Sequence, residues 1–242
     1  FLYYGLGGLF FSLIGKIILF LIPVNKEKKM MWFRIIISNF MKSVLYSNPF
    51  AKKKIVNNYK EDFSKPAVII SNHTSFLDTL AIGMVTPKII YLVNDWVYNS
   101  PIFGRVVKLA GYYPASQGIE GSVEHLRDKI EQGYSLMIFP EGTRSNTNEI
   151  GRFYKGAFYL AEHFNIDVLP VYIHGNSETL PKGDHIIYDE NIRGDGSNSQ
   201  RKHVKTTKFF GVKHNAEFAQ YVMSVCSGNY CSINKDKREY KF

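Results

Sequence analysis

The sequence predicts an α/β fold: a largely parallel central sheet with helices on both faces, preceded by an N-terminal membrane-associated helical segment. Two observations predict it. From residue 66 onward, short apolar runs alternate with helical patterns, and this alternation is typical of a parallel sheet covered by helices. The first 22 residues are almost entirely apolar, which is typical of a helix in contact with lipid.

The N-terminal segment predicts a helix long enough to cross a bilayer. Apart from Ser12 and Lys16, residues 1–22 are apolar, and as a helix they would span roughly 33 Å. Four glycines and a continuous apolar surface favour lipid contact over the alternative, a buried core helix. No basic stretch precedes the run and no small-residue cleavage site follows it, which argues against a secretory signal. Pro23 ends the run, and the cationic residues after it favour the cytoplasmic side for that end: Lys26, Lys28 and Lys29.

The net charge of +9 is confined to the same part of the chain. Residues 1–60 hold ten Lys or Arg and one acid, which gives +9, whereas the other 182 residues hold 20 basic and 20 acidic side chains. This distribution argues against nucleic acid as a partner and favours anionic membrane phospholipid. Only two cysteines are present, without neighbouring ligand pairs, which excludes a disulfide scaffold and a four-ligand zinc site. We expect no metal.

Residues 31–46 predict a second helix, for which two placements stay open. It could lie in the headgroup plane, with Arg34 and Lys42 toward anionic lipid. It could equally pack on the domain that follows.

The strands and helices of the second part follow from its apolar pattern. Buried strands are expected at 66–71, 88–93, 134–139 and 168–173. Helices are expected at 76–86, 101–110, 118–132 and 151–164. Residues 191–215 are polar and rich in Gly, Ser and Lys, which indicates a loop or linker. We therefore divide the chain into an anchor (1–60), a catalytic domain (61–190) and a linker with an uncertain tail (191–242).

The first candidate for chemistry follows the strand at 66–71. The string SNHTSFLD holds His73 and Asp78 five residues apart, a weak signal by itself. The two side chains meet only if His73 lies in the loop and Asp78 lies in the first turn of the next helix, where Ser75 is a natural N-cap. The alternative is that Asp78 simply caps this helix. A His–Asp pair can act as a base, and since the chain has no GxSxG motif, the base would act on a substrate hydroxyl or on water.

The second candidate is the string FPEGTRS, which follows the strand at 134–139. It predicts a tight turn at Gly142 that presents Glu141, Thr143 and Arg144. The planar guanidinium of Arg144 suits phosphate. The alternative is a surface turn with a local Glu–Arg pair.

Through these two strings, the sequence resembles the glycerolipid acyltransferases, typified by 1-acylglycerol-3-phosphate (lysophosphatidate) acyltransferases, over roughly residues 66–180. NHTSFLD resembles the block whose His is the general base and whose Asp is its partner. FPEGTRS resembles the block that binds the glycerol-phosphate part of the acceptor. GRFYKGAFYLA and VLPVYI resemble the two blocks that follow, the first of which brings Lys155 toward the phosphate.

The resemblance implies acyl transfer from acyl-CoA or acyl-carrier protein, as co-substrate, to a lysolipid hydroxyl, with His73 and Asp78 as the catalytic pair. No other cofactor is implied. The chain departs from the family in the stretch 96–118, where an acidic–Arg pair is missing and Arg105, upstream, is left as the candidate for substrate binding. This departure also fits a lysophospholipid with a substituted phosphate, or an aminolipid acceptor.

Two other functions stay open from the sequence. A lipid hydrolase could use the same His–Asp base to activate water, and a non-catalytic membrane module could bind lipid without turnover. Because the chain begins with Phe1 rather than Met, we expect it to be a domain of a larger membrane protein. We expect this domain to lie on the cytoplasmic face.

Overall fold

The computed structural model describes residues 2–21, 23–47, 53–55, 61–115, 118–145, 150–173 and 207–209. Its helices are α1 (Leu2–Leu21), α2 (Lys26–Tyr46), α3 (Leu77–Gly83), α4 (Asp95–Tyr98), α5 (Gly104–Leu109), α6 (Gly118–Glu131) and α7 (Gly156–Phe164). Its strands are β1 (Lys53–Ile55), β2 (Ala67–Ser71), β3 (Ile89–Val93), β4 (Tyr113–Pro114), β5 (Ser135–Ile138), β6 (Asp167–Val171) and β7 (Thr207–Phe209).

Five strands form one sheet in the order β4-β3-β5-β2-β6, and every neighbouring pair is parallel. All five residues of β2 are buried, as expected for a strand covered on both faces. The carboxyl ends of β2 and β5 lie at the same edge because the strands are parallel neighbours. The predicted fold class, a parallel sheet in an α/β protein, is confirmed.

Helices cover both faces of this sheet, and the side chains of β2 alternate between them. Ile69 faces an apolar cluster whose buried helical members include Phe33, Ile37, Leu80 and Ile82. Val68 and Ile70 face a second cluster, with Leu126, Phe158, Leu160 and Ala161. Helices α2 and α3 therefore pack on one face, and α6 and α7 on the other.

The four apolar runs of the sequence correspond to β2, β3, β5 and β6, and the four predicted helices correspond to α3, α5, α6 and α7. The largest difference is the start of α7, expected at residue 151 and found at Gly156. The main-chain N–H groups of Gly151 and Tyr154 are bonded to Glu141 and to the carbonyl of Pro140. These bonds hold the segment against the turn after β5, and the helix begins only beyond it.

The prediction of a loop over 191–215 is wrong for Thr207–Phe209, which form β7 and pair in parallel with β1. The partner of this short strand lies far away in sequence, so no local pattern could reveal it. The rest of that stretch lies outside the described residues. Strand β4 and helix α4 are also too short for a periodic signal.

Helix α1 is, among the described residues, the one helix long and apolar enough to cross a membrane. It packs against α2 and α5, and three of its glycines make this contact possible, since a Cβ at Gly15 would lie 2.9 Å from Leu109. A Cβ at Gly8 would lie 2.6 Å from the ring of Phe103, and one at Gly7 would overlap the ring of Phe40. The glycines of this helix favoured lipid contact in the sequence, but these three lie against protein. Another side of α1 is apolar and exposed, with Leu6, Phe10, Leu13, Ile17 and Phe20.

Helix α2 begins at Lys26, earlier than predicted, because the Asn25 side chain caps it by accepting the Lys28 N–H at 3.0 Å. Of the two placements left open, packing on the domain is the one found, since Phe33 and Ile37 are buried in the cluster beneath the sheet. The two N-terminal helices thus share a core with the sheet.

Arg34 contradicts the interfacial placement most clearly. Its side chain is 1% exposed, and its guanidinium lies 4.4 Å from the ring centre of Tyr134. Among the described residues, Nε finds one hydrogen-bond partner, the carbonyl of Met30, and the two terminal nitrogens find none. Burial lowers the pKa of this guanidinium. Arg34 is therefore part of the protein interior and does not face lipid.

Candidate active site

The structure brings His73 and Asp78 together at the carboxyl edge of the sheet. His73 lies in the loop after β2, and Asp78 lies in the first turn of α3. The Nδ1 atom of His73 is 3.1 Å from Oδ2 of Asp78. Asp78 is fully buried, whereas the His73 side chain is 16% exposed. The carboxylate is thus held inside the protein, with the imidazole between it and the outside.

Asp78 also binds the main chain of the loop that leads into its own helix. Its Oδ2 accepts the main-chain N–H groups of Thr74 at 2.7 Å and Ser75 at 2.8 Å. The helix begins one residue later than a cap at Ser75 would place it, with Phe76 at the N-cap position, but the Ser75 hydroxyl still accepts the Leu77 N–H at 3.3 Å. The carboxylate that pairs with His73 thus also fixes the turn before α3, although no side chain caps the helix at Phe76.

The imidazole of His73 is held from a second direction. Its ring is stacked on the ring of Phe139, with centres 3.9 Å apart and planes 16° apart. With Nδ1 directed at the carboxylate, the neutral tautomer that donates from Nδ1 leaves Nε2 as a proton acceptor. This arrangement can take a proton from a hydroxyl group that is hydrogen-bonded to Nε2.

The string FPEGTRS forms the predicted turn after β5. Gly142 has a φ of 68°, a left-handed conformation that glycine adopts without strain, and its N–H donates to the carbonyl of Phe139 at 3.0 Å. Asn94, at the end of β3, donates to the carbonyl of Gly142 at 3.2 Å. Thr143 is exposed, and Arg144 is half-buried and lines the same cavity as His73.

Glu141 does not project outward from this turn as predicted. It is 6% exposed, its Oε1 accepts the N–H of His73 at 2.8 Å, and its Oε2 accepts the N–H of Gly151 at 2.9 Å. Burial raises the pKa of this carboxyl, although both N–H groups oppose the shift. Both oxygens are directed at the main chain. The geometry therefore does not favour the expected contact between Glu141 and substrate.

Two other predicted residues are not brought to the site. Arg105, on α5, donates from Nη1 to the carbonyl of Ser12 in α1 at 3.3 Å, and it does not line the cavity beside His73. The motif could not reveal this contact because α1 is distant in sequence. Lys155 is exposed just before α7 and does not line the cavity either.

The cavity has a volume of about 380 Å³. His73, Asn94 and Arg144 line it, but most of its wall is apolar or aromatic, including Tyr4, Ile37, Met41, Phe103, Val107 and Tyr112. Burial raises the pKa of Tyr112 to about 12, so this hydroxyl is neutral at physiological pH. The wall residues from α1 and α2 were missed in the sequence, since nothing local distinguishes them from other apolar helix residues.

No group of three His, Cys, Asp or Glu side chains in the part of the chain that the structure describes could hold a metal ion.

Known proteins match this chain over the region that holds the candidate active site. The model of a family described as Acyltransferase matches residues 51–174. A chloroplastic 1-acyl-sn-glycerol-3-phosphate acyltransferase from Arabidopsis thaliana is 30% identical over 133 residues, which cover 53% of this chain and 37% of that protein. One from Saccharomyces cerevisiae is 32% identical over 124 residues, which cover 48% and 41%. The matches thus span well under half the length of these two relatives.

The fold is also found in a solved structure. The crystal structure of the 1-acyl-sn-glycerophosphate acyltransferase PlsC from Thermotoga maritima superposes with a TM-score of 0.61 at 20% identity, and covers 80% of this chain and 86% of that one. At this identity the likeness concerns the fold alone. The family match covers 124 of the 242 residues and includes both the His73 loop and the turn after β5. The chain therefore belongs to the acyltransferase family.

Proposed function

We propose that this protein transfers a fatty acyl group from a thioester donor to the hydroxyl of lysophosphatidate or a related lysophospholipid. The observation that carries the proposal is the His73–Asp78 pair, 3.1 Å apart, beside a largely apolar cavity. Membership in the acyltransferase family and relatives named as 1-acyl-sn-glycerol-3-phosphate acyltransferases support the acceptor class.

In the proposed reaction, Nε2 of His73 removes the proton from the acceptor hydroxyl while its oxygen attacks the thioester carbonyl carbon. Asp78 stabilises the imidazolium that forms. When the tetrahedral intermediate collapses, the carbon–sulfur bond breaks and the imidazolium returns its proton to the departing thiolate. Ester and free thiol are the products, and the base is regenerated without a metal or an acyl-enzyme.

Arg144 is the residue that we assign to the acceptor phosphate. It is the only Lys or Arg among the described residues that line the cavity, and a guanidinium can bind two phosphate oxygens at once. Gly142 and Thr143 shape the turn on which it lies. The apolar part of the cavity suits an acyl chain, whose transfer from water is favourable.

We further propose that α1 holds the protein on the cytoplasmic face of a membrane. Its exposed apolar side, its length and the excess positive charge of residues 1–60 support contact with anionic phospholipid. Both acyl-CoA and acyl-carrier protein are compatible donors.

The test is an acyl-transfer assay on membranes that contain the full chain. Labelled acyl-CoA and acyl-carrier protein are each offered with lysophosphatidate, with lysophospholipids whose phosphate is substituted, and with an aminolipid acceptor. The wild type is compared with His73→Ala and with His163→Ala, a matched control that removes an exposed histidine of α7.

We expect labelled phospholipid from the wild type and from His163→Ala, and none from His73→Ala, although that variant still folds and stays with the membrane. Substantial product from His73→Ala would contradict the proposal. Release of free fatty acid without an acceptor would indicate a hydrolase, and no turnover of any donor would indicate a lipid-binding module.

A further inference from the structure

We propose that Glu141 is a positioning residue, whose carboxylate fixes the main chain of His73 and so orients the base without touching the acceptor. The inference rests on the proposed function for its kinetic test only. It assigns to Glu141 a role different from the substrate contact that the motif suggested.

The first support is the geometry of the carboxylate. Oε1 accepts the N–H of His73 at 2.8 Å, and Oε2 accepts the N–H of Gly151 at 2.9 Å. The side chain is 6% exposed and does not line the cavity that His73 and Arg144 share. A carboxylate occupied in this way joins three segments: the loop after β2, the turn after β5, and the segment before α7.

The second support is that the turn after β5 also holds the carbonyl of His73. The N–H of Ser145 donates to the carbonyl of His73 at 2.7 Å, and Phe139 stacks on its ring. The regular pairing of β2 with β5 ends at Ile70 and Ile138. Beyond it, residues 139–145 bind the His73 main chain and ring, so a shift of this turn would move the imidazole.

The third support is the need for a carboxylate at this position. An amide could offer its oxygen to only one of the two N–H groups and would turn its own N–H₂ toward the other. A side chain at residue 151 would displace this carboxylate, because a Cβ at Gly151 would lie 2.8 Å from Oε2 of Glu141. Substitution at either residue should therefore disturb the same contact.

A matched control lies at the opposite end of the same two strands. The Ser135 hydroxyl accepts the N–H of Ala67 at 3.2 Å, a buried side-chain-to-main-chain bond between the β2 and β5 segments. This bond also joins residues 68 positions apart, as the bond between His73 and Glu141 does. Ser135→Ala therefore removes a bond of the same kind far from the base.

The experiment compares the full chain in membranes with Glu141→Gln, Gly151→Ala and Ser135→Ala, measuring kcat, the KM for the acceptor and the thermal unfolding midpoint. We expect Glu141→Gln and Gly151→Ala to lower kcat by at least about 10-fold, because small displacements of a catalytic group are costly. Their KM should stay near the wild-type value. Ser135→Ala should lower the unfolding midpoint with kcat unchanged.

A raised KM with normal kcat in Glu141→Gln would show that Glu141 binds the acceptor. A loss of kcat in Ser135→Ala equal to that in Glu141→Gln would show that the role of Glu141 is merely structural. Either result overturns the proposal.

A second readout does not depend on the reaction. In ¹⁵N-histidine-labelled protein, the ring signals of His73 are identified by their loss in His73→Ala. We expect Glu141→Gln to shift these signals and to leave those of the other six histidines in place. Unchanged His73 signals would overturn the positioning role. A wild type that transfers no acyl group, while the His73 signals still shift, would reject the proposed function and leave the positioning role standing.

Discussion

The two ends of the β2–β5 strand pair carry the same kind of hydrogen bond for different purposes. At the amino end, Ser135 accepts the N–H of Ala67 through a neutral hydroxyl. At the carboxyl end, Glu141 accepts the N–H of His73 through a buried carboxylate that also holds Gly151. Only the second bond is adjacent to a His–Asp pair. A parallel sheet can thus fasten its strands at one edge and assemble its chemistry at the other.

The largest effect is expected at the carboxyl end, from Asp78→Asn. If the amide oxygen faces the imidazole, the negative charge that stabilises the imidazolium is lost. If the amide nitrogen faces it, the ring is held in the tautomer whose Nε2 cannot accept a proton. We expect kcat to fall by about 10³–10⁴-fold, measured by acyl transfer in membranes.

The control for Asp78→Asn is its unfolding midpoint, which should stay high enough to keep the protein folded at the assay temperature. A folded variant with near-normal kcat would show that Asp78 only fixes the turn before α3. The carboxyl end of the strands would then have no chemical role that distinguishes it from the amino end.

The next effect is expected at the amino end, from Ser135→Ala. Loss of the hydroxyl leaves the buried N–H of Ala67 without that acceptor, which should lower the free energy of unfolding by about 1–3 kcal/mol. Denaturant titration in detergent measures it, with acyl transfer by the same preparation as the companion assay. An unchanged stability would mean that water or a local shift replaces the bond.

A smaller effect of opposite sign is expected nearby, from Arg34→Met. The guanidinium is buried over Tyr134, just before β5, and its terminal nitrogens have no hydrogen-bond partner in the part of the chain that the structure describes. Replacing a buried charge with an unbranched apolar side chain should raise the free energy of unfolding by roughly 1 kcal/mol. Denaturant titration would contradict this expectation if the variant were clearly less stable than the wild type.

The smallest effect is the pH dependence of the Glu141 contribution. Burial raises the pKa of this carboxyl, so the folded state binds its proton more tightly than the unfolded chain does. Stability from such a group is greatest at low pH and is lost as the pH rises through the folded pKa. The stability difference between wild type and Glu141→Gln should therefore shrink from pH 4 to pH 7 in denaturant titrations. A difference that grows over this range would show that folding lowers the pKa of Glu141, and would contradict the prediction.

The sequence predicted what local patterns determine. The apolar runs located the four longer strands of the sheet, and Ser75 with Asp78 indicated the capped turn that brings Asp78 to His73. What it missed depends on segments distant in the chain. Arg105 turns to the carbonyl of Ser12, and the direction of the Glu141 carboxylate depends on His73 and Gly151. No motif contains both partners of such contacts.

In the proposed function, everything depends on His73 activating an acceptor hydroxyl for attack on a thioester. The decisive measurement is the rate of free-thiol release from acyl-CoA, with and without lysophosphatidate, in the wild type and in His73→Ala. We expect thiol release that depends on the acceptor in the wild type and is absent in the variant. Thiol release that persists without acceptor, or that survives in His73→Ala, would contradict this role of His73.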